Sequence, residues 1–159
     1  MAEHATEKFW DMIKGFDTCM VTTRDGETLR ARPMAPRLSK ERGEILFITE
    51  KTSHKVGEVA GDDQVACTFT KHGEYVALSG TASVTQDRAR IDEIWDAEME
   101  AWMPQGKDGP NVAVLVIKPS QAEIWDVKTN KITQAYEFAK AYLGDKDRPD
   151  TTEHVKVQL

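Results

Sequence analysis

The sequence predicts a mainly β (α+β) fold: an antiparallel sheet closing into a small barrel, with helices at its ends and at two insertions. Two observations carry this. About seven alternating or β-branched runs are strung along 159 residues, and most are joined by turns too short for parallel crossovers, which need a dozen or more residues. Helical spacing is confined to the opening, two insertions and the tail. A meander of that length removes its exposed edges most simply by closing on itself.

The elements justify this in order. Residues 4–16 place Ala5, Phe9, Met12, Ile13 and Phe16 at helical spacing, with Gly15 as a stop. Residues 17–24 alternate, and Asp25-Gly26 is a hairpin signal. The return strand, 28–38, contains Pro33 and Pro36, so it should bulge or run at an edge there. Residues 45–48 (ILFI) are apolar on both faces, which predicts a covered, central strand. Residues 52–60 read as a short helix capped by Thr52 or Ser53. Strands follow at 65–70 and 74–85, separated by His72-Gly73, then a helix over 87–103 that ends at Pro104. A long strand runs from 111 to 127. An amphipathic helix over 132–143, a polar linker at 145–152 and a last strand through Val155, Val157 and Leu159 complete the chain. We expect one domain over 1–159: an N-terminal helix (1–16), a barrel core (17–127) and a C-terminal helix and strand (128–159).

Composition narrows the function. A net charge of −6 and a pI near 5.3 argue against duplex nucleic acid, whose binders need a wide basic surface. The longest apolar run, residues 112–117, is too short to span a bilayer. The opening is charged and helix-patterned rather than signal-like, so a cytoplasmic setting is expected. Cys19 and Cys67 lie in strand-like runs and read as two buried, reduced thiols. No metal site is expected: the four histidines are scattered and there is no HExxH or CxxC. GxGxxG, GxxxxGK[ST] and GxSxG are also missing, which disfavours Rossmann and P-loop nucleotide binding and hydrolysis at a serine elbow. Trp10, Trp95 and Trp102 fit helix faces and are expected in the core or an interface, whereas Trp125 is out of phase with Ala122 and Ile124.

One stretch runs against the overall charge. Between Arg24 and Lys55 eight Lys/Arg face five Asp/Glu, a local excess suited to a specific anion. Ser53, His54 and Lys55 fall at a helix start, where unpaired N–H groups and the macrodipole favour a phosphate. Arg30, Arg32 and Arg37 lie on the neighbouring extended segment. The alternative, Ser53 merely capping the helix beside solvated cations, stays open on spacing alone.

Taken together, Arg32-Pro33-Met34, Leu46-Phe47-Ile48-Thr49, Thr52-Ser53-His54-Lys55, Ser79-Gly80-Thr81-Ala82 and Ala122-Glu123-Ile124-Trp125-Asp126 resemble, in order and spacing, the pyridoxamine 5′-phosphate oxidase-like proteins, and within them the short general stress protein branch. The resemblance covers roughly residues 5–127. It implies an FMN-binding split β-barrel, homodimeric, with two flavins at the subunit interface. It implies that Arg32, Pro33 and Met34 line the ring and ribityl chain, and that Ile48 and Thr49 give backbone and hydroxyl contacts. Thr52, Ser53, His54 and Lys55 would surround the phosphate, with Arg37 as a second basic group and Trp125 reaching in from the other subunit. It implies a small flavin-dependent oxidoreductase acting in stress response on a small-molecule redox substrate. Alternatives of other classes are a non-catalytic flavin carrier or sensor, and a haem- or deazaflavin-binding barrel, with His72 and His154 as the candidate axial ligands. The chain departs from the true oxidases after the tryptophan strand: residues 126–131 (DVKTNK) lack their arginine and histidine, and Tyr75 stands where they tend to use glutamine. Vitamin B6 oxidation is therefore not expected as the main activity, and no catalytic residue is assigned.

Overall fold

A computed structural model describes residues 2–127, 131–144 and 152–159. In it, every strand pairing is antiparallel. The helix α1 (Ala2–Ile13) precedes β1 (Cys19–Asp25) and β2 (Thr28–Met34); β3 (Arg37–Ser39) and β4 (Glu44–Glu50) lead to α2 (His54–Gly61). Then come β5 (Gln64–Lys71), β6 (Glu74–Thr85), α3 (Arg88–Ile94), α4 (Ala97–Trp102), β7 (Val112–Val127), α5 (Lys131–Tyr142) and β8 (Thr152–Gln158). The polar linker expected at 145–152 lies, up to residue 151, outside the described residues.

The sheet runs β2-β1-β5-β6-β7-β4-β3, and β8 pairs with the far half of β7. Its two end strands, β2 and β3, are consecutive in sequence with only Ala35 and Pro36 between them. Two residues span less than about 8 Å, so the sheet must curl until its edges meet. The prolines withhold the N–H groups a ladder would need there. The result is a barrel closed by the chain itself and split at Pro33–Pro36, with the expected single return strand divided in two.

The interior explains why the strands alternate. Val21 on β1, Phe47 on β4, Cys67 and Phe69 on β5, and Leu115, Ile117 and Ile124 on β7 fill one core, which α1 plugs with Phe9, Trp10 and Ile13. Both cysteines are free and buried in it. A second apolar layer covers the other face of β4: Leu46 packs with Ile91, Ile94, Val112, Val114 and Val116, beneath α3. This is why residues 45–48 are apolar on both faces. At Gly80 the β6–β7 register shifts; a Cβ there would sit 2.2 Å from the Lys118 carbonyl oxygen, so only glycine admits so close an approach.

One expected helix is two. The span 87–103 breaks at Trp95-Asp96, because Asp96 is an N-cap: its carboxylate accepts from the Met99 N–H and starts α4. Asp87 caps α3 in the same way through Ala89 N–H. Trp10 is buried and Trp95 half-buried, but Trp102, on α4, is 78% exposed rather than in the core.

Candidate functional site

The site grows from the junction of β4 and α2. Ser53 occupies the N-cap of α2 in extended conformation, yet its side chain makes no capping bond. Its hydroxyl lies 3.3 Å from Thr49 Oγ1 instead. That answers the capping alternative: the helix start keeps unpaired N–H groups while the hydroxyl is turned elsewhere. Lys55, in the first turn, donates from Nζ to the same Thr49 Oγ1 at 3.2 Å. Among the described residues no carboxylate comes within 4 Å of that ammonium. Burial, and then the Arg32 charge, push the Lys55 pKa down, against the pull of Glu50 and Glu58. A half-buried ammonium whose bonded partner is one neutral hydroxyl is a cation in want of an anion.

Arg32 comes to this cluster from the split edge of the barrel. Its Nη1 donates to Thr23 Oγ1 at 2.6 Å and its Nη2 to Glu58 Oε2 at 2.8 Å. Thr23 Oγ1 in turn donates to Glu58 Oε2. Burial raises the Glu58 carboxyl, but the Thr23 hydroxyl and the Arg32 guanidinium outweigh it and hold the carboxyl below its ordinary range. Arg30 Nη1 stands 3.6 Å from the other oxygen, Oε1, which has no hydrogen bond. An open groove runs along α2 past Ser53, His54, Gly57 and Glu58 to the Asp25-Gly26 hairpin.

The remaining expected site residues are placed as follows. Thr52 and His54 are exposed beside Ser53, and Pro33 is exposed on β2. Met34 packs against the barrel core. Ile48 is half-buried against the layer under α3, its side chain on the opposite face from Thr49. Arg37 is not joined to the Lys55 cluster by any described contact: its guanidinium holds Asp96 at 2.7 Å and Glu98 at 2.9 Å. Trp125 sits on the outer face of β7, stacked on His154 of β8 at 5.0 Å with the rings 7° from parallel. Glu123 meets His154 Nε2 at 2.7 Å. Thr49 pairs with Ala113, twelve residues before Trp125 on β7, which puts the tryptophan up to about 40 Å from the cradle at roughly 3.3 Å per residue.

Sequence reading missed Glu58 and Thr23, and it named His154 without foreseeing that it stacks on Trp125. The spacing of Lys55 and Glu58, three apart on one helix, was the available signal for the first. The place of Thr23 and the His154–Trp125 pair become visible only through strand pairing, β1 with β2 and β7 with β8.

A split antiparallel barrel with cations from a strand edge and a helix start gathered at its split is the class that fold and site define together. The chain belongs to the pyridoxamine 5′-phosphate oxidase-like family, whose model matches residues 4–150. Protein bli-3 of Neurospora crassa is 30% identical over 140 residues, 80% of this chain and 67% of that one. A crystal structure from Jannaschia sp., described as a general stress protein 26, is 30% identical, covers all of both chains and superposes with a TM-score of 0.78. The general stress FMN/FAD binding protein of Xanthomonas citri is 29% identical over 78% of this chain and 89% of its own, with a TM-score of 0.69.

Proposed function

We propose that this chain is an FMN-binding protein that works as a small flavin-dependent oxidoreductase in stress response, a cytoplasmic homodimer with two flavins at the subunit interface. One observation carries the reading: the half-buried Lys55 ammonium, bonded to a neutral hydroxyl, beside a helix start that Ser53 does not cap. Hydroxyl, ammonium and free N–H groups are the donor set that a dianionic phosphate ester requires. The flavin-binding name of the Xanthomonas citri relative supports the same ligand.

In this reading Ser53, Lys55 and Thr49 hold the phosphate, with Thr52 and His54 at its rim, while Arg32 adds charge from the barrel split. Pro33, Met34 and the Ile48 backbone border the ribityl chain and ring. Arg37 acts at one remove, tying α4 to β3 beside the site. Trp125, twelve residues along β7 from the position that pairs with Thr49 and on the outer face of the barrel, meets the ring bound by the partner subunit in this reading. The apolar residues left exposed on α5, Tyr136, Phe138 and Tyr142, with Leu143 just after it, suit association of two copies. When bound, the isoalloxazine supplies electron transfer; the protein positions it and excludes water.

A second reading has its own observation. Glu58, the buried carboxylate of the cradle, is committed to Arg32 and Thr23 and so is not available as a general base. A cradle whose one buried carboxylate is so committed favours a flavin carrier or sensor without turnover. The visible spectrum and mass of the co-purifying molecule, followed by FMN titration, test the cofactor. A Soret band in place of flavin absorbance would overturn it. Reduction by NAD(P)H with reoxidation by an acceptor at a catalytic rate supports the enzyme; a bound flavin inert to both supports the carrier.

A further inference from the structure

Behind the phosphate donors lies a second layer of charge. Glu58 is among the few buried charged side chains, 5% exposed. It faces Thr23 from β1, Arg32 and Arg30 from β2, and Lys55 one turn back on its own helix. The other nearby charges are partnered: Arg24 with Asp62 at 3.5 Å, and Arg30 with Asp25 at 3.5 Å. Glu50, at the end of β4, faces Lys55 from the opposite side. On β6, also packed against α2, the titratable groups Glu74 and Tyr75 lie at the strand's start. One buried carboxylate therefore stands among three cations.

We propose that Glu58 is a positioning residue of the cradle. With Thr23 it holds the Arg32 fork in a fixed orientation, and its negative charge offsets that of Arg32 at Lys55, so that both cations act on one anion across a broad pH range. This rests on the phosphate-binding reading above and adds to it the group that sets the cradle's working pH. Three of the five guanidinium N–H groups of Arg32 are taken by Thr23, the Val21 carbonyl and Glu58. Two remain for a ligand, on a fork that cannot rotate away.

The sign follows from the charges. A phosphate is held only while Lys55 carries its proton, so affinity falls as pH rises through the Lys55 pKa of the free protein. Arg32 lowers that pKa and Glu58 raises it. Removing the Glu58 charge while keeping its shape leaves Glu50 as the carboxylate that opposes Arg32 at Lys55, and moves the fall in affinity to lower pH.

The experiment is the pH dependence of FMN affinity in Glu58→Gln, divided at each pH by the affinity for riboflavin, which lacks the phosphate but shares the ring's own titration. The expected result is a pair of curves that run parallel at low pH and separate on the alkaline side, the variant falling at measurably lower pH than wild type. Glu58→Asp, which keeps the charge, restores the wild-type midpoint. Glu58→Ser makes the same charge change if the amide does not pack, with thermal unfolding as the check on folding. A uniform loss with an unmoved midpoint assigns Glu58 a purely structural role and overturns the proposal while sparing the phosphate site. Wild-type protein that binds FMN no better than riboflavin overturns both.

Discussion

Replacing Lys55 by methionine keeps the volume of the side chain and removes its charge, which separates the ligand's view of this residue from the fold's. For the ligand the loss is a charge-assisted hydrogen bond, about 1.5–3 kcal/mol. Lys55 is only half-buried, so solvent screening places the loss in the lower half of that range. At about 1.4 kcal/mol per tenfold, FMN affinity should fall roughly 10- to 30-fold. Riboflavin affinity should stay within about threefold, because the phosphate is where the charge acts. For the fold the sign reverses. Burial and Arg32 depress the Lys55 pKa, so between the lowered and the usual lysine value the unfolded chain binds the extra proton. The stability this group contributes is present above the usual value and is lost as pH falls through the lowered one. Ligand-free Lys55→Met should therefore be at least as stable as wild type at pH 7, with a flatter pH profile on the alkaline side. The assays are flavin fluorescence titration and thermal unfolding of the apoprotein. An FMN affinity within about twofold of wild type, or a ligand-free variant several degrees less stable, would refute the reasoning.

Three further outcomes follow from other parts of the molecule. Gly80→Ala forces a methyl group onto the Lys118 backbone; it should cost at least the ~1–3 kcal/mol of an overpacked site, read as a lower denaturation midpoint. Asp96→Ala removes the cap of α4 and the ion pair with Arg37; about 1 kcal/mol is expected, most of it from the cap, since the pair is largely exposed. Mixing Lys55→Met with Trp125→Ala protein under subunit exchange should restore about one quarter of the FMN sites, since a C2 heterodimer regains one intact pairing of cradle and tryptophan. No restoration would place both residues in one subunit's site.

Much of the fold could be read from local pattern. The Asp25-Gly26 turn, with Gly26 at φ 62, and the full extent of β6 emerged from two-residue periodicity alone. What could not be read was anything set by a partner distant in sequence. Asp96 falls inside the helix expected over 87–103; it is an N-cap held by Arg37 from β3, 59 residues away, and so a helix became two. The cations at 30, 32 and 37 looked like one group because they are close in sequence. A strand alternates faces and the prolines divide it, so Arg32 meets α2 while Arg37 meets α4. Glu58 stayed hidden for the same reason: its partners Thr23 and Arg32 belong to a hairpin that precedes it by 26 residues or more.

The position of the cradle follows from the split itself. Because the prolines leave β2 and β3 unpaired with one another, the two edges of the sheet approach without a ladder to fill the seam. The chain lays α2 across it. Lys55 touches β4, one strand in from the β3 edge, and Glu58 touches β1 and β2 at the opposite edge. Arg32 from the β2 edge and Lys55 of α2 itself then meet at a helix start that the Ser53 side chain does not cap. Elsewhere along the barrel each strand's polar backbone is consumed by its neighbour, and the core side chains are apolar. The seam is where a barrel of this construction has donors to spare, and an anion bound there stabilises a closure that the strands alone leave unfinished.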